Sequence, residues 1–244
     1  MDLFSIGHTS RNAKLSYTDV TSDIDLDNAD HFFEKMLRSK SSPEKTVVDL
    51  GCGDGLFTAK MAAFNQRVIG IEPGWTFHTA CQRCDQSPRQ NLQFRQENVH
   101  RTSLDRQCAD IVISRYTPAV EAEAFRLLKP KGQFILLMNG ERDLSGIKTR
   151  LCSDKPRVFM QAQSETIIDD CLNAGFARAY SKSFFSHDQL ESRHEVIAFL
   201  RQQLLLNELS KTNAEIVEDY CDAFPEQRIL LNRHRIILVA HKSP

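Results

Sequence analysis

The spacing of apolar and polar positions changes several times along the chain, and each change marks an element. In "DNADHFFEKMLRS" (27–39), Ala29, Phe32, Phe33, Met36 and Leu37 recur at helical spacing, which predicts a first helix capped at Asn28 or Asp30. "TVVDL" (46–50) reads as a short buried strand, and "LFTAKMAAF" (56–64) as a helix. Strand and helix then alternate: "RVIGIEP", "TFHTACQRC", "LQFRQEN", "ADIVISRY", "AVEAEAFRLL" and "GQFILLM" (132–138). The "ENVHRTSLDRQC" between the third and fourth strands predicts no defined element. Strands separated by helices at short intervals predict parallel βαβ units, hence an α/β sheet with helices on both faces.

Beyond residue 139 the rhythm breaks. "NGERDLSGIKTRLCSDKPR" (139–157) is polar and turn-rich, without usable periodicity. "SETIIDDCLNAGF" predicts a helix from a Ser164 cap to a left-handed stop at Gly175, and "ARAYSKSFF" a strand. "HEVIAFLRQQLLLNEL" and "NAEIVEDYCDAF" are amphipathic, and "NRHRIILVAHK" is a terminal strand. The two amphipathic helices thus interrupt a strand pair and predict a helical cap over about 186–224. No repeat or Pro-rich linker divides the chain. One domain is expected, with an N-terminal arm (1–27) that can act as a lid, a ligand-binding half (28–138) and a substrate-side half (139–244).

Composition narrows the classes. A formal charge of −1 and a pI near 6.7 provide no global field for a phosphate backbone, so nucleic acid is disfavoured. The apolar runs "FILLM" and "RIILVA" are far too short to span a membrane, and the opening "MDLFSIGHTSRNAK" is not patterned as a secretory signal. Seven scattered cysteines fit a reducing, cytoplasmic setting. Cys81 and Cys84 form a C-x-x-C with no second ligand pair, which reads as two helical thiols and predicts no metal site.

The chemistry concentrates in "KTVVDLGCGDGLFTAK" (45–60). Gly51, Gly53 and Gly55 follow directly on a strand, where glycines cost backbone entropy and pack nothing, so the main chain itself must be needed. A glycine-rich turn between a first strand and its helix lets a nucleotide-like ligand lie on the backbone at the carboxyl edge of the sheet. No Lys-Ser/Thr follows as in a P-loop, and G-x-G-x-G ends one residue short of the dinucleotide fingerprint. Asp49, two positions before the first glycine, suits a cationic amine better than a pyrophosphate. Glu72, at the end of the next strand, can accept from both hydroxyls of a ribose. The indicated ligand has one ribose, no phosphate and a positive end, which describes S-adenosylmethionine.

"VVDLGCGDG" resembles the first motif of class I S-adenosylmethionine-dependent methyltransferases, and the resemblance continues through "VIGIEP", "FRQENVHRTSLDRQCADIVISRY" and "FRLLKPKGQFILLM", over roughly 28–138. It implies a Rossmann-like fold with a mostly parallel seven-stranded sheet, and transfer that leaves S-adenosylhomocysteine. By the same resemblance Gly51, Cys52 and Gly53 approach the methionine portion and Asp49 supports its ammonium group. Asn98, standing where the family often has Asp, frames the adenine with Val99, and Gly55, Pro73, Ser114 and Arg115 complete the cofactor-binding set. "SRYTPAVEAEAFRLLKPKG" and "NGERDLSGIK" also resemble 23S rRNA guanine-N1 methyltransferases of the RlmA type, although the Cys-rich zinc module of those enzymes has no counterpart here.

An activated sulfonium asks the protein for positioning, a dry pocket and, for some acceptors, a base. Tyr116, directly after the fourth strand, and His8, in the arm, are the candidate catalytic residues, whereas His187 and His234 read as surface or packing histidines. Arg115 suits either an acidic acceptor or a neighbouring carboxylate. Trp75 suits either the adenine or open solvent, and Phe184, Phe185 and Phe199 suit a core. The expectation is a methyltransferase for a small-molecule acceptor, monomeric or homodimeric. The alternatives are an rRNA guanine-N1 methyltransferase, with a basic face at Arg142, Lys148, Arg150, Lys155 and Arg157, and a cofactor-binding protein without turnover.

Overall fold

The computed structural model describes residues 15–16, 29–85, 90–117, 119–151, 164–202, 211–224 and 228–244. The strands are β1 (Leu15–Ser16), β2 (Thr46–Leu50), β3 (Arg67–Ile71), β4 (Leu92–Arg95), β5 (Ala109–Arg115), β6 (Leu128–Asn139), β7 (Arg178–Leu190) and β8 (Ile229–His241). The helices are α1 (Ala29–Lys40), α2 (Leu56–Met61), α3 (Phe77–Asp85), α4 (Glu121–Leu127), α5 (Ser145–Leu151), α6 (Ser164–Ala174), α7 (Arg193–Gln202) and α8 (Lys211–Asp222). The sheet order is β1-β7-β8-β6-β5-β2-β3-β4. Among the described strands, only β8 runs antiparallel to its neighbours, β6 and β7. The seven expected strands are therefore present, and the two-residue β1 adds an eighth at the edge, parallel to β7. The rest of the expected N-terminal arm lies outside the described residues.

The chain winds outward from β2 in one direction through β3 and β4, and in the other through β5 and β6. The crevice between the carboxyl ends of β2 and β5 is thus the topological switch point, where open α/β sheets bind ligands. Alternation along the strands builds two cores. Val47, Ile113, Ile135, Leu137 and Ile237 pack beneath α1, whose Phe33 and Leu37 are fully covered; each such side chain contributes about 2–3 kcal/mol of transfer free energy. Val48, Val112, Phe134 and Leu136 pack on the opposite face with Leu127 of α4 and Ile168 of α6. Gly175, at φ +109, ends α6 as its position predicts, and the Phe176 N–H closes back on the Cys171 carbonyl at 3.1 Å.

Three features differ from the sequence expectation. First, β7 does not stop at Phe185: it pairs with β8 out to Leu190↔Ile229, so the inserted helices begin at Arg193 rather than at 186. Second, the supposedly aperiodic stretch after 139 contains α5. Its Ile147 joins Leu144, Val196, Leu200, Val217, Tyr220 and Leu231 in a separate third core that seats the cap on the β7–β8 ribbon. Third, β6 starts at Leu128, because Lys131 takes φ +65 and bends the strand without ending it. Residues 96–108 contain no helix.

Candidate functional site

The switch point is built by the turn that leaves β2. Gly51, Gly53 and Gly55 have φ of +82, +57 and +76, a region that side-chain-bearing residues adopt only with strain. The Gly51 and Cys52 N–H groups bond the Ile71 carbonyl of β3 at 2.8 and 3.0 Å, which pins the turn across the crevice. A side chain at Gly51 would strike Thr117 Oγ1 at 1.9 Å, whereas at Gly53 it would meet nothing within 4 Å. The turn is therefore packed tightly on its β5 side and open at its tip. That opening is the space in which a ligand can rest on bare main chain.

Two carboxylates flank it. Asp49 points to the α1 side of the sheet and is 2% exposed; its Oδ2 accepts from Thr58 Oγ1 on α2 at 2.6 Å, while Oδ1 has no partner. Burial pushes its pKa from 3.8 to about 6, against the Thr58 hydrogen bond and the Arg115 charge, with the Glu72 charge acting in the same upward direction. A buried, half-satisfied carboxylate costs free energy that a cationic amine would recover. Glu72 follows β3 directly, with Oε2 accepting from the Gly53 N–H at 3.0 Å and Oε1 from the Gly74 N–H at 2.7 Å. These bonds fix the carboxylate at the lip of the turn, and each oxygen keeps a further lone pair for a ribose hydroxyl. Cys52 is buried beneath the turn, and burial pushes its thiol pKa up, so it is a packing group rather than a nucleophile.

Other expected residues are placed differently. Ser114 is fully buried and donates to the Leu50 carbonyl at 3.0 Å, which ties the ends of β5 and β2 together. Asn98 is exposed on the loop after β4, its Oδ1 accepting from the His100 N–H at 2.9 Å, and Val99 is buried beneath it. That loop is anchored to α4 through Glu123, whose Oε1 accepts from Thr102 N and Oγ1 at 2.8 and 2.7 Å and whose carboxylate pairs with Arg126. Pro73 and Trp75 stand exposed beside Glu72, Trp75 at 80%.

Arg115 takes the second of the roles foreseen for it. It pairs with Asp30 of α1 at 2.6 Å and lies 4.4 Å over the Phe57 ring. Tyr116, at φ +59, donates its hydroxyl to Asp30 Oδ2 at 3.2 Å and accepts from Arg235 Nε at 3.2 Å. Burial, reinforced by the Asp30 charge, pushes its pKa up, so it is a neutral hydroxyl at physiological pH and not a phenolate base. His8 lies outside the described residues. His234 is a packing histidine, hydrogen-bonded by the Arg142 N–H at 3.1 Å and stacked on Phe185 at 4.4 Å, and His187 is exposed on the β7–β8 ribbon. Phe184 packs on Phe32 and Phe199 joins the cap core as expected, whereas Phe185 is exposed and stacks on His234 instead of entering a core.

Asp30, Cys52, Asp54, Phe57, Lys60 and Arg115 line a cleft of about 400 Å³ between α1 and the turn. Sequence reasoning missed Asp30, Thr58, Thr117 and Arg235, because only the packing of α1, α2, β8 and the end of β5 brings them to the turn and to Tyr116. Of the basic cluster, Arg142 and Arg150 lie over the Phe185 and Tyr220 rings and Lys148 lies 4.0 Å from Asp143; Lys155 and Arg157 are outside the described residues. Among the described residues there is no cluster able to hold a metal ion, and no helix is long and apolar enough to cross a membrane.

Residues 48–136 match the sequence model of a family described as a methyltransferase domain. No curated protein matches the chain. Among solved structures, the chain superposes on a candidate methyltransferase from Bacillus halodurans with a TM-score of 0.67 and 15% identity, over 89% of this chain and 100% of that one. The YcgJ protein of Bacillus subtilis gives 0.63 and 18%, over 88% and 99%. A phosphoethanolamine N-methyltransferase of Haemonchus contortus, solved with phosphomonomethylethanolamine and S-adenosylhomocysteine, gives 0.57 and 17%, over 88% and 53%. The structural likenesses establish the fold, the matched segment spans the turn and both its carboxylates, and the half-satisfied Asp49 beside an open glycine tip fits an amine-bearing nucleoside. Residues 48–136 thus match a methyltransferase domain, and the chain has the fold of the methyltransferase structures it resembles.

Proposed function

We propose that the chain methylates a small-molecule acceptor by in-line displacement at the sulfonium carbon. The observation that supports this reading is the cleft beside the glycine turn. At about 400 Å³ it has the size of a small-ligand site, and it is lined by charges of both signs rather than by a basic face. In this reading Asp49 Oδ1 takes the cofactor's ammonium group, the Gly51–Gly53 main chain and Cys52 border its methionine portion, and Glu72 holds the ribose. Asn98, Val99 and Pro73 border the adenine, with Ser114 and Gly55 holding the shape of the turn. When bound, the cofactor supplies an activated methyl group: its C–S bond breaks as the bond to the acceptor forms, and S-adenosylhomocysteine leaves.

The protein's own work is positional. Arg115, held by Asp30 and stacked on Phe57, walls one side of the cleft, and the neutral Tyr116 hydroxyl offers a hydrogen bond where β5 ends. The cap on α5, α7 and α8 is proposed to cover the acceptor, and the cytoplasm is the proposed location.

The experiment is calorimetric titration with S-adenosylmethionine, followed by transfer of tritiated methyl groups into separated small-molecule, RNA and protein fractions. Label in the small-molecule fraction is expected. Label confined to RNA would replace this reading with the rRNA alternative, and tight binding with no label in any fraction would replace it with a non-catalytic binding protein.

A further inference from the structure

The carboxyl end of β6 presents a polar atom that the cofactor roles leave unused. Asn139 is the last residue of β6, two beyond Leu137 and four beyond Ile135, both of which face α1. Strand alternation puts its side chain on the same face. There Asn139 Oδ1 is buried with no hydrogen-bond partner.

This is not for want of donors nearby. Arg235 is its cross-strand partner on β8, and Tyr116 sits on its other side, with the Tyr116 N–H bonded to the Leu137 carbonyl at 2.8 Å. Arg235, however, directs Nε to the Tyr116 hydroxyl and Nη1 to Asp143 and to the His234 carbonyl, and the Tyr116 hydroxyl is directed at Asp30. The neighbours satisfy one another and leave the amide oxygen out. A buried acceptor without a donor is costly, and native structures retain one where a ligand or an ordered water completes it or where it stores strain.

We propose that Asn139 Oδ1 accepts a hydrogen bond from the N–H or O–H of the methyl acceptor, and so selects acceptors that carry such a donor. The proposal rests on the small-molecule reading above. Asn139 is then an acceptor-orienting residue: an amide oxygen can hold and aim a donor group but cannot remove its proton at neutral pH. Sites built to satisfy a donor discriminate strongly against analogues lacking one, because the site's own polar atom is otherwise left unpaired.

The test compares wild type with Asn139→Leu, which matches the amide in size and removes the unpaired oxygen, and with Asn139→Asp, which keeps an acceptor oxygen. Three quantities are read: the melting temperature, S-adenosylmethionine affinity by calorimetry, and tritium transfer into the small-molecule fraction of a cell extract. For Asn139→Leu the expected result is a melting temperature equal to or above wild type, cofactor affinity within about twofold, and transfer reduced by about tenfold or more. Once the labelled acceptor is isolated, its KM should account for most of that loss. Asn139→Asp should recover a measurable part of the transfer. Unchanged transfer by Asn139→Leu, or a lowered melting temperature together with lost cofactor affinity, would overturn the assignment. A wild type that binds the cofactor yet labels no small molecule would overturn the small-molecule reading, and this inference with it.

Discussion

Thr58 Oγ1 of α2 donates to Asp49 Oδ2 of β2 across 2.6 Å, and this one bond decides which oxygen of the buried carboxylate remains for a ligand. It also opposes the burial that lifts the Asp49 pKa from 3.8 to about 6.

A pH dependence follows for cofactor binding. With Asp49 in the proposed role, the cofactor's ammonium group requires the ionised carboxylate, so affinity should be highest between about pH 6 and the pH at which the amine deprotonates, and fall about tenfold per pH unit below about pH 6. Stability moves the opposite way. The folded state binds the proton more tightly than the unfolded chain, so the cofactor-free protein loses stability as pH rises from about 4 to 6. The loss through Asp49 is about 3 kcal/mol and stays constant above that window. Thr58→Val should move the affinity midpoint to higher pH, read by calorimetry across a pH series.

Gly51→Ala and Gly53→Ala should separate folding from binding. At Gly51 the new methyl group meets Thr117 Oγ1 at 1.9 Å on top of a left-handed backbone, so a stability loss of about 2 kcal/mol or more and lost binding are both expected. At Gly53 the added atom enters open space, so the expected stability cost is only the roughly 1 kcal/mol of backbone strain, yet cofactor affinity should fall at least about tenfold. Denaturant unfolding and calorimetry on the two variants distinguish the cases.

Glu123→Ala removes the acceptor shared by Thr102 and Arg126. The expected destabilisation is roughly 3 kcal/mol, with weakened cofactor binding as the loop bearing Asn98 and Val99 loosens. Burial alone would push the Glu123 pKa up, but the Arg126 and Thr102 hydrogen bonds outweigh it and hold the group below the usual carboxylate range. Its stabilising contribution is therefore full above the ordinary value of 4.5 and is lost only as pH falls through the lowered one. Acid unfolding followed by circular dichroism should show the transition of Glu123→Ala at higher pH than that of wild type.

Leu200→Ala, in the cap core with Ile147 and Val217, should cost about 3 kcal/mol of local stability. The cap has its own core, separate from the two that flank the sheet, so the glycine turn should persist. Hydrogen exchange should speed up in α5, α7 and α8 while calorimetric cofactor affinity stays within about twofold of wild type, and methyl transfer should drop.

From its sequence alone this chain determined the alternation of strands and helices, the glycine turn after β2, and the two flanking acids. These are local: a period of two or of 3.6, a left-handed stop at Gly175, and glycines that only a close ligand explains are written within a dozen residues of one another. The tertiary structure alone decided what surrounds the turn. Thr58 reaches Asp49 because α2 packs under β2, Asp30 reaches Arg115 because α1 packs on the face of β6 and β8, and Arg235 reaches Tyr116 because β8 inserts antiparallel beside β6. α5 stayed hidden for the same reason. Its single fully buried residue, Ile147, makes no period of its own and finds its partners mainly in α7, α8 and β8. Contacts between residues 80 to 120 positions apart carry no signature in either neighbourhood, since each side chain alone is an ordinary surface group until the fold removes its water.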